Sequence, residues 1–152
     1  RGLTLMSNKA IKSWISEVNN SKSVVVASRL KAIHPLTDRI VRKIVCIDKL
    51  EYIWVGHDKI LASNEIKIEG SRKIPITKPG HPTAIGFDLI IDIPYKTVQF
   101  YEIASAVKGN GEIILKAVLA ALDPDWEVVI GMDYSMGFWD VMAERYEQVV
   151  VM

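Results

Sequence analysis

The stretch Ile103-Ala104-Ser105-Ala106-Val107-Lys108-Gly109-Asn110-Gly111 runs from a strand pattern into a helix pattern through two glycines. Before it, Ala84–Ile93 and Lys96–Ala104 are apolar-rich segments parted by Pro94-Tyr95, the pattern of an antiparallel pair. After it, Glu112–Leu122 sets Leu115, Val118, Leu119 and Leu122 on one helical face. A helix start leaves backbone N–H groups unpaired, glycine lets the backbone come close to a bulky anion, and the helix dipole favours negative charge there. Lys108 adds a point charge suited to phosphate. The local reading is a pyrophosphate cradle, although the bare triplet by itself reads first as a tight strand-to-helix turn. Two nucleotide motifs are excluded: Ile114 holds the last glycine position of Gly-x-Gly-x-x-Gly, and the chain has no Gly-Lys-Ser/Thr.

Working outward, Asp123-Pro124-Asp125 stops the helix and Trp126–Met132 reads as a buried strand. Ser135 is placed to cap a helix carrying Phe138, Trp139, Met142, Ala143 and Tyr146, and Gln148–Met152 closes the chain as a strand. Towards the amino terminus, Gly70–Pro82 holds three prolines and two glycines and is expected to be a surface loop. Tyr52–Val55, Ile60–Ala62 and Glu65–Glu69 are strand material. Thr37–Leu50 fits a helix opened by Thr37 and Asp38, although its β-branched residues also suit a strand. Val24–Val26 reads as a strand, and residues 8–18 as an amphipathic helix capped by Ser7.

The chain has 152 residues, 49% hydrophobic and 24% charged, which fits one globular domain spanning 1–152. Residues 1–5 precede Met6 and read as a remnant ahead of a native start, with no secretory signal. A formal charge of +1 gives no global field to recruit nucleic acid or an acidic membrane, and no apolar run is long enough to span one. The single cysteine, Cys46, rules out an internal disulfide and suits a cytoplasmic protein; within Ile44–Ile47 it is expected to be buried. His34, His57 and His81 are far apart, lie near turns and lack metal-ligand spacing, so no metal is expected.

The run Ile103–Gly111 resembles the acyl-CoA signature of the GNAT superfamily of N-acetyltransferases, in which a strand leads into a Gln/Arg-x-x-Gly-x-Gly/Ala turn opening a helix. Upstream, Ala84-Ile85-Gly86-Phe87 looks like the family's central hairpin strand. Downstream, Trp126–Ile130 and Gly137-Phe138-Trp139 look like its fifth strand and the following helix. The resemblance covers residues 84–146. It implies a single-domain α/β (α+β mixed) fold with a central, mostly antiparallel twisted sheet flanked by helices and strands splayed at an acyl-CoA cleft. It also implies acetyl transfer from acetyl-CoA to a primary amine by direct attack, without a metal. Val107, Lys108, Gly109, Asn110, Gly111 and Glu112 would then offer backbone donors to the pyrophosphate, and Ile103 and Ala104 would pair with the pantetheine amides. Three departures stand against the pattern: Ala106 replaces Gln or Arg, Trp139 stands where many members have the tyrosine that protonates the leaving thiolate, and the chain ends after one final strand.

Direct attack needs a base for the ammonium proton and a donor for the thiolate. Glu102, on the strand entering the turn, is the first candidate base, with Asp92 one strand back as the second. Tyr134, after the fifth strand, is the candidate acid. Each also reads as an ordinary surface carboxylate or half-buried tyrosine. The acceptor, whether small amine, peptide terminus or protein lysine, would enter over residues 52–82, and a homodimer is left open. A second reading is a non-catalytic CoA-binding or protein-interaction module on the same scaffold.

Overall fold

The computed structural model describes residues 5–131, 133 and 135–152. At the amino-terminal end Ser7 Oγ accepts the Ala10 N–H at 3.1 Å, opening helix α1 (Asn8–Val18), which buries Ile11, Trp14 and Val18. Strand β1 (Ser23–Val26) follows. The ambiguous segment resolves as helix α2 (Pro35–Ile44), because Leu36, Ile40, Val41 and Ile44 fall on one buried face. It starts earlier than Thr37: Pro35 takes the first turn and His34 Nδ1 accepts the Leu36 N–H at 3.0 Å. α2 ends at Ile44, and Cys46 lies beyond it, exposed rather than buried.

Four strands come next: β2 (Tyr52–Val55), β3 (Lys59–Ser63), β4 (Ile66–Glu69) and β5 (Arg72–Pro75). The expected loop at 70–82 therefore contains a strand. Gly70, at φ 64°, makes the turn, and Pro75 needs no ladder N–H as the last residue of its strand. The hairpin β6 (Ile85–Asp92) and β7 (Thr97–Ser105) leads into helix α3 (Asn110–Ala121). Strand β8 (Glu127–Ile130), helix α4 (Phe138–Arg145) and strand β9 (Val149–Val151) complete the chain.

Among the described residues these elements form a mixed α/β fold of four helices around a seven-stranded sheet ordered β1-β2-β3-β6-β7-β8-β9, with β4 and β5 as a separate hairpin. The sheet is not mostly antiparallel. Three pairings are antiparallel, β2–β3, β3–β6 and β6–β7, and three are parallel, β1–β2, β7–β8 and β8–β9. The parallel pairings follow from helical connections, since α2, α3 and α4 each carry the chain back across the sheet before the next parallel strand. α2 packs on α3, with Arg39 Nε donating to the Ala121 carbonyl at 3.1 Å. Ile40, Ile44, Ile53, Phe87, Leu89, Phe100, Ile114 and Leu115 are core residues between helices and sheet. No helix among the described residues is long and apolar enough to cross a membrane.

Candidate functional site

β7 and β8 are paired only over Thr97–Gln99 and Glu127–Val129. Beyond that point β7 continues to Ser105 along β6 alone, because β8 ends at Ile130. The Gln99 side chain covers the end of β8: a Cβ on Gly131 would lie 3.0 Å from Gln99 Nε2. A cleft of about 510 Å³ runs along β7 from Phe100 to Ser105, where β7 has no partner on this edge. One wall is the upper part of β7, and the other includes Ser135, Phe138 and Trp139. Aromatic contacts support it: the Phe100 and Trp139 rings are tilted with centroids 5.2 Å apart, and Phe138 meets Trp139 edge-on at 4.8 Å.

A register shift at Asp88/Leu89 shapes this wall. Asp88 lies opposite Glu102 and Leu89 opposite Phe100, so Tyr101 is an extra residue on β7. Tyr101 and Glu102 both border the cleft. Further along, Ala106 N–H donates to the Ala84 carbonyl at 3.1 Å. By antiparallel alternation the backbone polar groups of Ala104 face β6, and those of Ile103 and Ser105 face the cleft. Ile103 is thus on the wall, whereas Ala104 is buried and lies off it.

The glycine turn closes the cleft at its far end. Gly109 sits at φ 96° as the residue before α3, and Lys108, Gly109 and Gly111 border the cavity. The loop is partly tied to itself. Gly111 N–H donates to Ser105 Oγ at 3.2 Å, while the Ser105 hydroxyl donates to the Val107 carbonyl at 2.8 Å. Asn110 donates to that same carbonyl from its backbone N–H at 3.3 Å and from Nδ2 at 3.1 Å. Of the six expected donors, Asn110 and Gly111 are therefore already engaged. The N–H groups of Val107, Lys108, Gly109 and Glu112 meet no acceptor among the described residues. The Glu112 carboxylate faces away from this role, accepting from Arg145 Nη1 at 2.6 Å and from Tyr146 Oη at 2.5 Å. Gly111 is buried against the Phe138 ring, which an added Cβ would meet at 3.0 Å.

Glu102 is half-buried on the cleft wall, and its Oε1 accepts the Thr77 hydroxyl at 2.7 Å. Asp92 is not brought near it: it pairs with Thr97 at the opposite end of the hairpin and accepts the Tyr95 N–H at 3.3 Å. Asp88 is the carboxylate that sequence reading missed. It is buried, its Oδ2 is 3.3 Å from Lys59 Nζ, and its Oδ1 has no hydrogen-bond partner among the described residues. Burial pushes its carboxyl above the ordinary 3.8; Lys59 pulls it back, and the nearby Glu102 charge pushes it further up. The Lys59 ammonium also stands 5.6 Å from the Tyr101 ring centroid. An aspartate in an apolar strand pattern carries no mark of which side it faces, and the bulge that sets it opposite Glu102 has no sequence signal here.

Tyr134 lies outside the described residues. Ser135 Oγ accepts the Trp139 N–H at 3.2 Å and donates to Asp133 Oδ1, while Gly137, at φ 114°, occupies the cap position itself. Trp139 is buried in the aromatic wall. The histidines are scattered: His34 caps α2, His57 is exposed between β2 and β3, and His81 Nδ1 accepts the Thr83 and Ala84 N–H groups. No three His, Cys, Asp or Glu side chains among the described residues cluster as metal ligands. Compared with family models, curated proteins and solved structures, the chain gave no match.

Proposed function

We propose that the chain is an N-acetyltransferase that carries acetyl from acetyl-CoA to a primary amine by direct attack. The observation that carries this reading is the cleft between the unpaired edge of β7 and the aromatic residues of α4, bordered by the glycine turn that opens α3. Such a cleft offers two complementary surfaces to an extended acyl thioester. The exposed backbone edge of β7 at Ile103 and Ser105 suits the amides of a pantetheine arm. The N–H groups of Val107, Lys108, Gly109 and Glu112, with the α3 dipole behind them and the Lys108 ammonium beside them, suit a pyrophosphate. The open space around Gly109, where an added Cβ meets nothing within 4 Å, leaves room for that anion.

In this reading Glu102 takes the proton from the acceptor's ammonium, and the freed amine attacks the thioester carbonyl held along β7. The carbon–sulfur bond breaks as the amide bond forms, and CoA leaves as its thiol. Thr77, donating to Glu102 Oε1, fixes the carboxylate's orientation. Tyr134 is the proposed donor to the thiolate. Incubating the protein with acetyl-CoA and a panel of amines, and following release of free CoA thiol, tests the proposal. Turnover with at least one amine, reduced about 100-fold or more by Glu102→Gln while acetyl-CoA binding persists, is the expected result. No thiol release with any amine would count against it.

A second reading, a non-catalytic CoA-binding or interaction module, is favoured by one specific feature. Ser105 already holds the Gly111 N–H, and Ala106 offers no side chain in place of a Gln or Arg. Acetyl-CoA binding without transfer would select it.

A further inference from the structure

Lys59 on β3, Asp88 on β6 and Glu102 on β7 come from three adjacent strands. The bulge at Tyr101 sets Asp88 opposite Glu102 in the ladder. Lys59 Nζ is 3.3 Å from Asp88 Oδ2 and stands over the Tyr101 ring, and its salt bridge is to Asp88. Glu102 instead accepts from the neutral Thr77 hydroxyl. Asp88 is 7% exposed, with its Oδ1 buried and unpartnered among the described residues. A buried carboxylate with an unpaired oxygen is costly unless it serves a purpose, and here it stands one strand from the cleft wall. Among the described residues the ionisable groups that meet here are Lys59, Asp88, Tyr101 and Glu102, with Lys108 further along the cleft.

We propose that Asp88 is a positioning residue for Glu102: it holds the Lys59 ammonium on β6 and so leaves Glu102 as the unpaired carboxylate that receives a cationic acceptor. The three charges sum to one negative charge, which matches a single ammonium. A zwitterionic α-amino acid, which brings a carboxylate with its ammonium, gains no such match. The acceptor class is therefore an alkyl ammonium free of a neighbouring carboxylate, such as a polyamine end or a lysine side chain. The acceptor gives one proton to Glu102 and attacks as the neutral amine, and the proton then leaves Glu102 to solvent through the open cleft. Burial acts to retain a proton on Asp88, Lys59 opposes it, and the like charge of Glu102 adds to the burial.

This inference rests on the acyltransferase reading, so the test separates the two. The pH profile of kcat/KM for acetyl transfer to a diamine is compared in wild type, Asp88→Asn and Lys59→Met. Asp88→Asn removes one carboxylate of the pair and frees Lys59 towards Glu102, so the acid limb moves to lower pH by about one unit. Lys59→Met removes the cation and moves the limb upward. Movement in opposite directions is not what a merely structural defect produces, and Lys59→Met alters a part-exposed side chain that the core does not need. An acid limb unmoved in both variants, or moved the same way in both, would overturn the role of Asp88. Alongside, the Asp88 carboxyl is titrated by carbon NMR in wild type, Glu102→Gln and Lys59→Met. A fall in the first variant and a rise in the second supports the coupled unit without reference to catalysis. An unmoved titration overturns it. Coupling without transfer to any amine would instead remove the acyltransferase reading.

Discussion

Gly109 and Gly111 stand two residues apart in the turn, yet substitution at each meets a different obstacle. At Gly109 the surrounding space is empty and the cost comes from φ 96°, so Gly109→Ala should destabilise the fold by about 1 kcal/mol through backbone strain alone. At Gly111 the backbone is helical and the obstacle is the Phe138 ring 3.0 Å from the added Cβ, so Gly111→Val should cost about 1–3 kcal/mol by overpacking. Urea unfolding measures both, and a Phe138→Ala background should relieve only the second. Asp88 makes a prediction of opposite character. Its folded-state pKa is raised, so below the ordinary 3.8 the site carries no charge penalty, and the penalty grows as pH rises above that value. Asp88→Asn should therefore gain stability relative to wild type between acid below pH 3.8 and neutrality, as read from paired urea melts. The residue scale was only partly legible in the sequence. Glu102 and Gly109 are on the cleft as the sequence suggests; Asp92, the second candidate base, lies at the far end of the hairpin opposite Thr97, and Asp88 is set opposite Glu102 by a bulge without a sequence signal.

At the scale of elements, the signals that worked were periodic and the ones that failed were local exceptions. α1, α3 and the β6–β7 hairpin follow directly from apolar spacing and their bounding turns. α2 was ambiguous because Ile40, Val41 and Ile44 suit either state, and its start was misplaced because a histidine did the capping. That cap has a testable pH dependence. His34 Nδ1 must be unprotonated to accept the Leu36 N–H, and burial, with Arg39 nearby, lowers its pKa below 6.5. The stability it supplies is present above 6.5 and is lost as pH falls through the lowered folded-state value. His34→Ala should cost about 1 kcal/mol at pH 8 and flatten that dependence, while His34→Asn should retain most of the cap. β5 was missed because prolines and glycines outweighed a four-residue strand, although Pro75 sits where a strand tolerates it. Cys46 was expected inside because its neighbours are apolar, but it falls after the last turn of α2.

At the scale of the whole molecule, the order of elements is readable except for β5, whereas the sheet's pairing beyond the β6–β7 hairpin is not. Strand direction depends on which connections cross the sheet, and those crossings put three parallel pairings where a mostly antiparallel sheet was expected. The cleft is a product of the same topology. β7 outlasts its three-residue pairing with β8, and the glycine turn lies at the end of that unpaired stretch because α3 begins soon after β7 ends. The aromatic wall holds the cleft open, so Trp139→Ala should cost about 3–5 kcal/mol and abolish ligand binding together with stability, as read by unfolding with and without acetyl-CoA.

The most direct test of the account is the shift in thermal unfolding produced by acetyl-CoA, with CoA and ATP as controls. At about 100 times its dissociation constant a ligand stabilises the fold by about 2.7 kcal/mol, or about 5–10 °C for a chain of this size. A shift of that order shared by acetyl-CoA and CoA, absent with ATP and lost in Gly109→Val, is the expected result. No shift at millimolar acetyl-CoA, or the same shift with ATP, would contradict an acyl-CoA cleft between β7 and α4.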